Sequence, residues 1–265
     1  MPDSSRGRPT ALITGASAGI GAALAKVFAA HDHDLVLVAR RRDALEALAG
    51  QLEGKHGVKA TVIVDDLGDP EAPDRIFAAV RDAGIQVDVL VNNAGFGLGG
   101  EFSETPIERE SAMVQVNITA LLHLTKLFIA PMLKRRAGHV LNVASTAAFF
   151  PGPLQSVYYA SKAFVLSFSQ AIAEELAPSG ISVTCLCPGP TETEFAQVAG
   201  MKSVRLPNMD VADAADVAEF GYRAMRAGSR VAVPGARNKL VVQAQRFVPR
   251  RLIARAMERM QRRRL

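Results

Sequence analysis

Apolar residues arrive along this chain in short unbroken runs, and between the runs polar and apolar positions recur at helical spacing. The runs are "ALIT" (11–14), "LVLVA" (35–39), "ATVIV" (60–64), "VDVLVN" (87–92), "HVLNVA" (139–144), "SVTCLC" (182–187) and "RVAVP" (230–234). The segments at 20–30, 43–53, 70–83, 107–135, 158–176 and 214–226 have helix length and period. Strands that are hydrophobic at successive positions, without alternation, are strands covered on both faces. Separated by helices, they predict a doubly wound α/β domain: a single Rossmann-type parallel sheet with helices on both sides. No repeat, low-complexity tract or linker divides residues 1–234, and residues 235–265 form an extension beyond them.

With 265 residues, 49% hydrophobic and 22% charged, the chain can bury a full single-domain core. The opening "MPDSSRGRPT" has no apolar stretch of leader length, and no later run is expected to span a bilayer, so a cytoplasmic location is expected. Cys185 and Cys187 lie two apart in a β-branched run, which suits buried thiols on one strand face better than a disulfide or a metal pair. A pI near 9.5 raises the question of nucleic acid. Residues 246–265, however, hold eight arginines and one glutamate, a net +7, and the rest of the chain carries −2. The body therefore has no electrostatic footprint for nucleic acid. In the tail, Leu252, Ile253, Ala256, Met257 and Met260 fall on one helical face, with Arg251, Arg255, Arg259 and Arg262 mostly elsewhere and Pro249 placed to start the helix. Three roles are open to such a helix: contact with an anionic membrane surface, packing on a partner subunit, or closure over an active site.

Directly after the first run comes "TGASAGIG", which puts Gly15, Gly19 and Gly21, with Ser17 and Ile20 among them, where a strand turns into a helix. Glycines there let the backbone approach a pyrophosphate, which rests against the free N–H groups of the helix start. The second strand ends in "VLVARRRD", with Ala39 where a ribose-binding acid would stand and Arg40, Arg41 and Arg42 after it. Absence of the acid and presence of guanidinium groups point to a 2′-phosphate, hence to NADP(H) in preference to NAD(H). Arg40 is the first choice for that contact and Arg41 the second; Arg42 best fits solvation of a helix start.

The stretch "YYASK" places Tyr158 four residues before Lys162, on one face of a helix, while Tyr159 points about a quarter-turn away and reads as packing. A nearby ammonium stabilises a phenolate and lowers a tyrosine pKa, which makes such a pair a general acid or base for an alcohol or ketone oxygen.

In order along the chain stand "TGASAGIG" (14–21), "DDL" (65–67), "NNAG" (92–95), "VN" (116–117), "NVAS" (142–145), "YYASK" (158–162) and "PGPTET" (188–193). In this set the chain resembles the short-chain dehydrogenase/reductase family from about residue 10 to residue 234. The resemblance implies a nicotinamide cofactor and oxidoreductase chemistry, with Tyr158 as acid/base and Lys162 lowering its pKa and holding the nicotinamide ribose. It further implies Ser145 as the hydroxyl bonded to the substrate carbonyl and Asn117 as the keeper of a relay water. By the same match Asp66 and Leu67 line the adenine pocket, and Asn93, Ala94 and Gly95 back the adenine ribose. Pro188, Gly189 and Thr193 flank the nicotinamide amide, with Thr191 as a competing choice. The helices at 107–135 and 158–176 match those through which the family forms homodimers and homotetramers.

Loops at the strand ends carry Phe96, Leu98, Phe149, Phe150, Leu154, Phe195, Val198 and Met201. Their apolarity points to a hydrophobic ketone, aldehyde or secondary alcohol as substrate; the basic C-terminal helix resembles that of family members acting on acyl or lipid-like carbonyls, which implies such a carbonyl as one form of the substrate. The contrasting expectation is a sensor that binds NADP(H) without turnover; a complete set of Asn117, Ser145, Tyr158 and Lys162 favours the enzyme.

Overall fold

The computed structural model describes residues 7–195, 199–200 and 211–263. One sheet contains β1 (Thr10–Thr14), β2 (Asp34–Ala39), β3 (Ala60–Val64), β4 (Val89–Asn92), β5 (Gly138–Val143), β6 (Ile181–Leu186) and β7 (Val231–Ala232). All pairings are parallel, in the order β3-β2-β1-β4-β5-β6-β7. The strands are linked through α1 (Gly19–Ala30), α2 (Arg42–His56), α3 (Ala72–Asp82), α4 (Ile107–Val114), α5 (Leu121–Arg135), α6 (Ser156–Leu176) and α7 (Ala214–Arg226). After β7 come α8 (Ala236–Ala244) and α9 (Arg250–Arg262), the latter entered at Pro249 as expected. The chain winds outward from β1 to β3 and then restarts beside β1 with β4, which opens a crevice at the carboxyl ends of β1 and β4.

Alternate residues of the central strands face two separate cores. Ile13, Leu37 and Val91 pack with Leu24, Phe28, Leu45, Leu52 and Tyr222 on one side. Leu12, Val36 and Leu90 pack with Ile76, Leu124, Phe128 and Val183 on the other. This explains the unbroken apolar runs, since a strand sandwiched between helix layers has no polar side. Between Asn92 of β4 and Asn142 of β5 lies a buried polar seam: Asn92 Nδ2 donates to Asn142 Oδ1 and to Thr125 Oγ1, each at 2.9 Å, and Asn142 Nδ2 donates to Ser169 Oγ at 2.9 Å. The seam ties α5 and α6 to the sheet just below the crevice.

The structure differs from expectation in three places. Residues 107–135 are not one regular helix: Gln115–Ala120 forms a π-helical turn between α4 and α5. The last strand shrinks to Val231–Ala232, because it pairs with β6 at only two positions. The stretch Ile107–Arg135, 29 residues with a mean hydropathy of 1.5 over its most apolar window, is long and apolar enough to cross a membrane, contrary to the expectation that no run would be. Leu124, Phe128 and Met132 of this stretch cover the sheet, while Ile107, Val114, Leu122 and Leu133 are exposed.

Phe28 is fully buried, with edge-on rings of His33 and Tyr222 at 5.1 Å. Phe28→Ala should lower unfolding stability in urea by about 3–5 kcal/mol; a loss under 1 kcal/mol would contradict this account of the core.

Candidate active site

The crevice begins at the glycine turn. Gly15 and Gly19 have φ of +66° and +53°, a left-handed backbone that favours glycine. A Cβ at Gly21 would lie 2.2 Å from the Gly15 carbonyl oxygen, so the helix starts in contact with the turn. Asn93 Nδ2 donates to the carbonyls of Thr14 (2.8 Å) and Gly15 (3.3 Å), while Thr14 Oγ1 accepts from the backbone N–H of Asn93 and of Ala94, each at 3.0 Å. The turn is thereby tied to the end of β4, and its side-chain-free face fits the close approach of a pyrophosphate. Ile20 packs on the core beneath, and Thr193 stands over the turn, its Cγ2 3.0 Å from where a Cβ on Gly19 would be. Thr191 turns back instead and donates to the Gly189 carbonyl at 3.0 Å.

At the end of β2 the two arginines are held differently. Arg41 donates to the Ser17 carbonyl (3.1 Å) and hydroxyl (3.4 Å) and pairs with Glu194 at 3.2 Å. Arg40 lies 3.7 Å from Asp66 with its side chain largely in solvent. Arg42 pairs with Glu46 one helical turn on. Asp66 Oδ1 accepts from the Gly68 N–H at 2.9 Å, and Leu67 beside it is buried.

The centre of the site is the amino-terminal part of α6. Lys162 is 6% exposed, its Nζ donating to the Val143 carbonyl at the end of β5 at 2.9 Å and lying 6.0 Å from the centroid of the Tyr158 ring. One of three ammonium protons is thus used by Val143, and the others are available to a ligand oxygen. Burial lowers the Lys162 pKa from 10.5 to about 8. Two buried cysteine thiols lie behind it with their sulfurs 3.8 Å apart, and that of Cys187 is pushed up, first by its hydrogen bond with Cys185 and then by burial.

Ser145 caps the 3₁₀ turn Thr146–Phe149, its Oγ accepting from the Ala147 N–H at 3.1 Å and lying 3.5 Å from the Pro188 carbonyl oxygen. Asn117 falls inside the π-helical turn, a device common at functional sites. Its side chain pairs with both backbone groups of Phe96, accepting from N at 3.1 Å and donating to O at 3.0 Å, and also donates to Ser161 Oγ at 3.0 Å. Both its amide protons are used within the protein. A Cβ on Gly95 would meet Asn117 Oδ1 at 2.9 Å and Lys162 Nζ at 3.3 Å, so Gly95 separates those two groups by the width of a bare backbone.

Of the apolar loop residues, Phe96, Leu98, Phe150 and Phe195, with Met257, pack against the cluster formed by Met113, Ala147, Tyr158 and Tyr159, the Phe195 ring lying 5.1 Å from that of Tyr158. Phe149 packs in a neighbouring cluster, and Leu154, at a φ of +66°, accepts the Gly100 N–H through its carbonyl. Val198 and Met201 lie outside the described residues. The expected face of the last helix is corrected: Ile253, Met257 and Gln261 point inward, whereas Leu252 and Ala256 are exposed. Gln261 also changes the reading of Tyr159 from packing alone, because its Nε2 donates to the Tyr159 hydroxyl at 2.8 Å and to Gln155 Oε1 at 2.9 Å. Gln261 follows Ile253 and Met257 at four-residue spacing, which was the one sequence signal for it.

Fold and site together define a class, the oxidoreductases built on one doubly wound sheet. The sequence profile described as short chain dehydrogenase matches residues 9–203, and the chain belongs to that family, whose members act on alcohol and carbonyl groups with a nicotinamide cofactor. It is 38% identical over 191 residues to serine 3-dehydrogenase of Agrobacterium fabrum, covering 71% of this chain and 74% of that protein. Its structure is similar to that of a short-chain dehydrogenase from Sphingobium yanoikuyae in complex with NADPH, with a TM-score of 0.83, 34% identity and coverage of 90% and 92% of the two chains. It is also similar to the bulky-bulky ketone specific alcohol dehydrogenase from Comamonas testosteroni, with a TM-score of 0.78, 31% identity and coverage of 91% and 94%.

The Lys162 shift has a consequence for stability. Between about pH 8 and 10.5 the unfolded chain holds a proton that the folded chain has released, so stability rises with pH across that window; below it both states carry the charge and the full cost of burial stands. In cofactor-free protein, wild type should gain on the order of 3 kcal/mol relative to Lys162→Met between those limits. Parallel urea-unfolding profiles for the two proteins would contradict it.

Proposed function

We propose that the protein is an NADP(H)-dependent carbonyl reductase or alcohol dehydrogenase acting on an apolar ketone, aldehyde or secondary alcohol. The observation that carries this reading is the buried Lys162 ammonium 6.0 Å from the Tyr158 ring, with Phe96, Leu98, Phe150 and Phe195 packed against the cluster to which Tyr158 belongs.

Tyr158 passes its phenolic proton to the substrate oxygen as that oxygen gains negative charge. Lys162 stabilises the phenolate left behind, through a charge that burial has stripped of competing water. The Ser145 hydroxyl, with only a long 3.5 Å contact to Pro188 to give up, donates a second hydrogen bond to the same oxygen. Asn117 holds the Phe96 loop against α6, and with it part of the apolar cluster. When bound, the nicotinamide supplies or accepts the hydride. The glycine turn and the 93–95 segment hold the dinucleotide, Asp66 and Leu67 border its adenine, and Pro188, Gly189, Thr191 and Thr193 border its nicotinamide end.

Arg40 and Arg41 receive the 2′-phosphate in exchange for their present partners Asp66 and Glu194; Ala39 puts no carboxylate at the end of β2, and Arg41 is already held on the Ser17 carbonyl of the turn. Two relatives point the same way in what is said of them, one being bound to NADPH and the other specific for bulky ketones. For association with a second copy, support comes from exposed Ile107, Val114 and Leu122 along the 107–135 stretch and from a groove of about 360 Å³ lined by Phe102, Ile107, Val114 and Val157; a monomer by sedimentation velocity would remove that part. A contact of the tail with an anionic surface is supported by the exposure of Leu240, Phe247 and Leu252 among its arginines; equal sedimentation with anionic and zwitterionic vesicles would remove it.

Consumption of NADPH with a panel of apolar ketones should be measurable in wild type. It should fall roughly 10²–10⁴-fold in Tyr158→Phe while NADPH still binds. No turnover of any carbonyl by wild type would favour the sensor. Arg40→Ala and Arg41→Ala should each weaken NADPH roughly ten- to a hundredfold, the value of a charged hydrogen bond of about 1.5–3 kcal/mol, and leave NADH unaffected. Equal losses for both nucleotides would place the 2′-phosphate elsewhere.

A further inference from the structure

The two adjacent tyrosines of α6 face different partners. Tyr158 lies against Phe195 and Tyr159 reaches the C-terminal helix, the two tyrosine rings set edge to face at 6.0 Å. Gly152 makes this arrangement fit, since a Cβ there would stand 2.1 Å from the Tyr159 ring. Gln261, one per cent exposed, closes the contact by donating both amide protons, one to Tyr159 and one to Gln155 at the start of α6. Beside it Arg262 bonds Glu101 of the loop after β4 at 3.1 Å. One turn earlier on the same face, Met257 packs into the cluster that contains Tyr158, Phe96 and Phe195. Thus α9, the most basic part of the chain, puts an unbranched apolar side chain against the cluster that Tyr158 and Tyr159 share with Met113 and Ala147.

We infer that α9 is the substrate-selecting wall of the active site, with Met257 as a specificity-determining residue and Gln261, through Tyr159 and Gln155, as the positioning residue that seats it. This rests on the carbonyl-reductase reading. Met257 limits the bulk of the substituent on the carbonyl carbon, and the ligand class is a ketone with one larger apolar arm and one arm short enough to fit beneath the thioether. The glutamine clamp fixes the depth of that limit without touching substrate.

The test uses the full chain with NADPH and a ketone pair differing in one arm, acetophenone and butyrophenone. Met257→Ala should shift the ratio of kcat/KM towards the larger ketone roughly tenfold or more, the range that a few methylenes set in an apolar pocket, with NADPH affinity unchanged. Gln261→Leu and Tyr159→Phe should each raise KM for both ketones with kcat nearly constant, and the double variant should be no worse than the poorer single one. They should also speed tryptic cleavage after Arg255 and Arg259 in the NADPH-bound protein. An unchanged ketone ratio in Met257→Ala overturns the wall, and additive losses in the double variant overturn the clamp. Should wild type reduce neither ketone, calorimetric affinities of the pair for the NADPH complex of wild type and Met257→Ala decide the wall by the same criterion, so its failure is distinguishable from failure of the reaction reading.

Discussion

An ammonium group held away from water is the constraint around which this site is organised. Burial lowers the Lys162 pKa to about 8, and among the described residues the carbonyl of Val143 is its hydrogen-bond acceptor. That bond links the end of β5 to the middle of the first turns of α6, so the helix cannot slide along the sheet without leaving a charge unpaired. The polar seam of Asn92, Asn142 and Ser169 fastens the same two elements from below. The contacts that seat Lys162 and those that pack α6 on the sheet are here the same set.

Much of this was legible in the amino-acid order. Unbroken apolar runs located the strands because a sandwiched strand tolerates no polar face, and glycines located the turn because any Cβ at Gly21 would strike the Gly15 carbonyl. Four-residue spacing put Tyr158 and Lys162 on one helix face, and only the seven motifs in register singled that pair out. What spacing could not show was the wide turn at Asn117, since one extra residue in a turn changes no residue type and hardly disturbs the apolar stripe. Nor could it tell Arg40 from Arg41: the direction of each side chain depends on how the backbone leaves β2, and the structure points Arg41 at Ser17 and Arg40 at Asp66.

The C-terminal helix misled the pattern for a different reason. A hydrophobic-face argument ranks Leu252 above Gln261, yet Leu252 is 54% exposed and Gln261 is buried. The buried amide is stabilised by two acceptors far away in sequence, Gln155 and Tyr159, which no local pattern can contain. A polar residue inside an apolar stripe marks a place where tertiary partners, not solvent aversion, decide which way the helix faces.

Gly152 gives the longest reach from the smallest group. The missing methyl lets an aromatic ring settle one layer deeper; the ring carries a hydroxyl, the hydroxyl anchors an amide, and the amide sets where a distant thioether comes to rest. On the inference drawn above, the seat of Met257 is therefore governed in part by an atom that is not there, at a residue outside the apolar cluster itself. Altering selectivity from that position would need no change in any residue that lines the site.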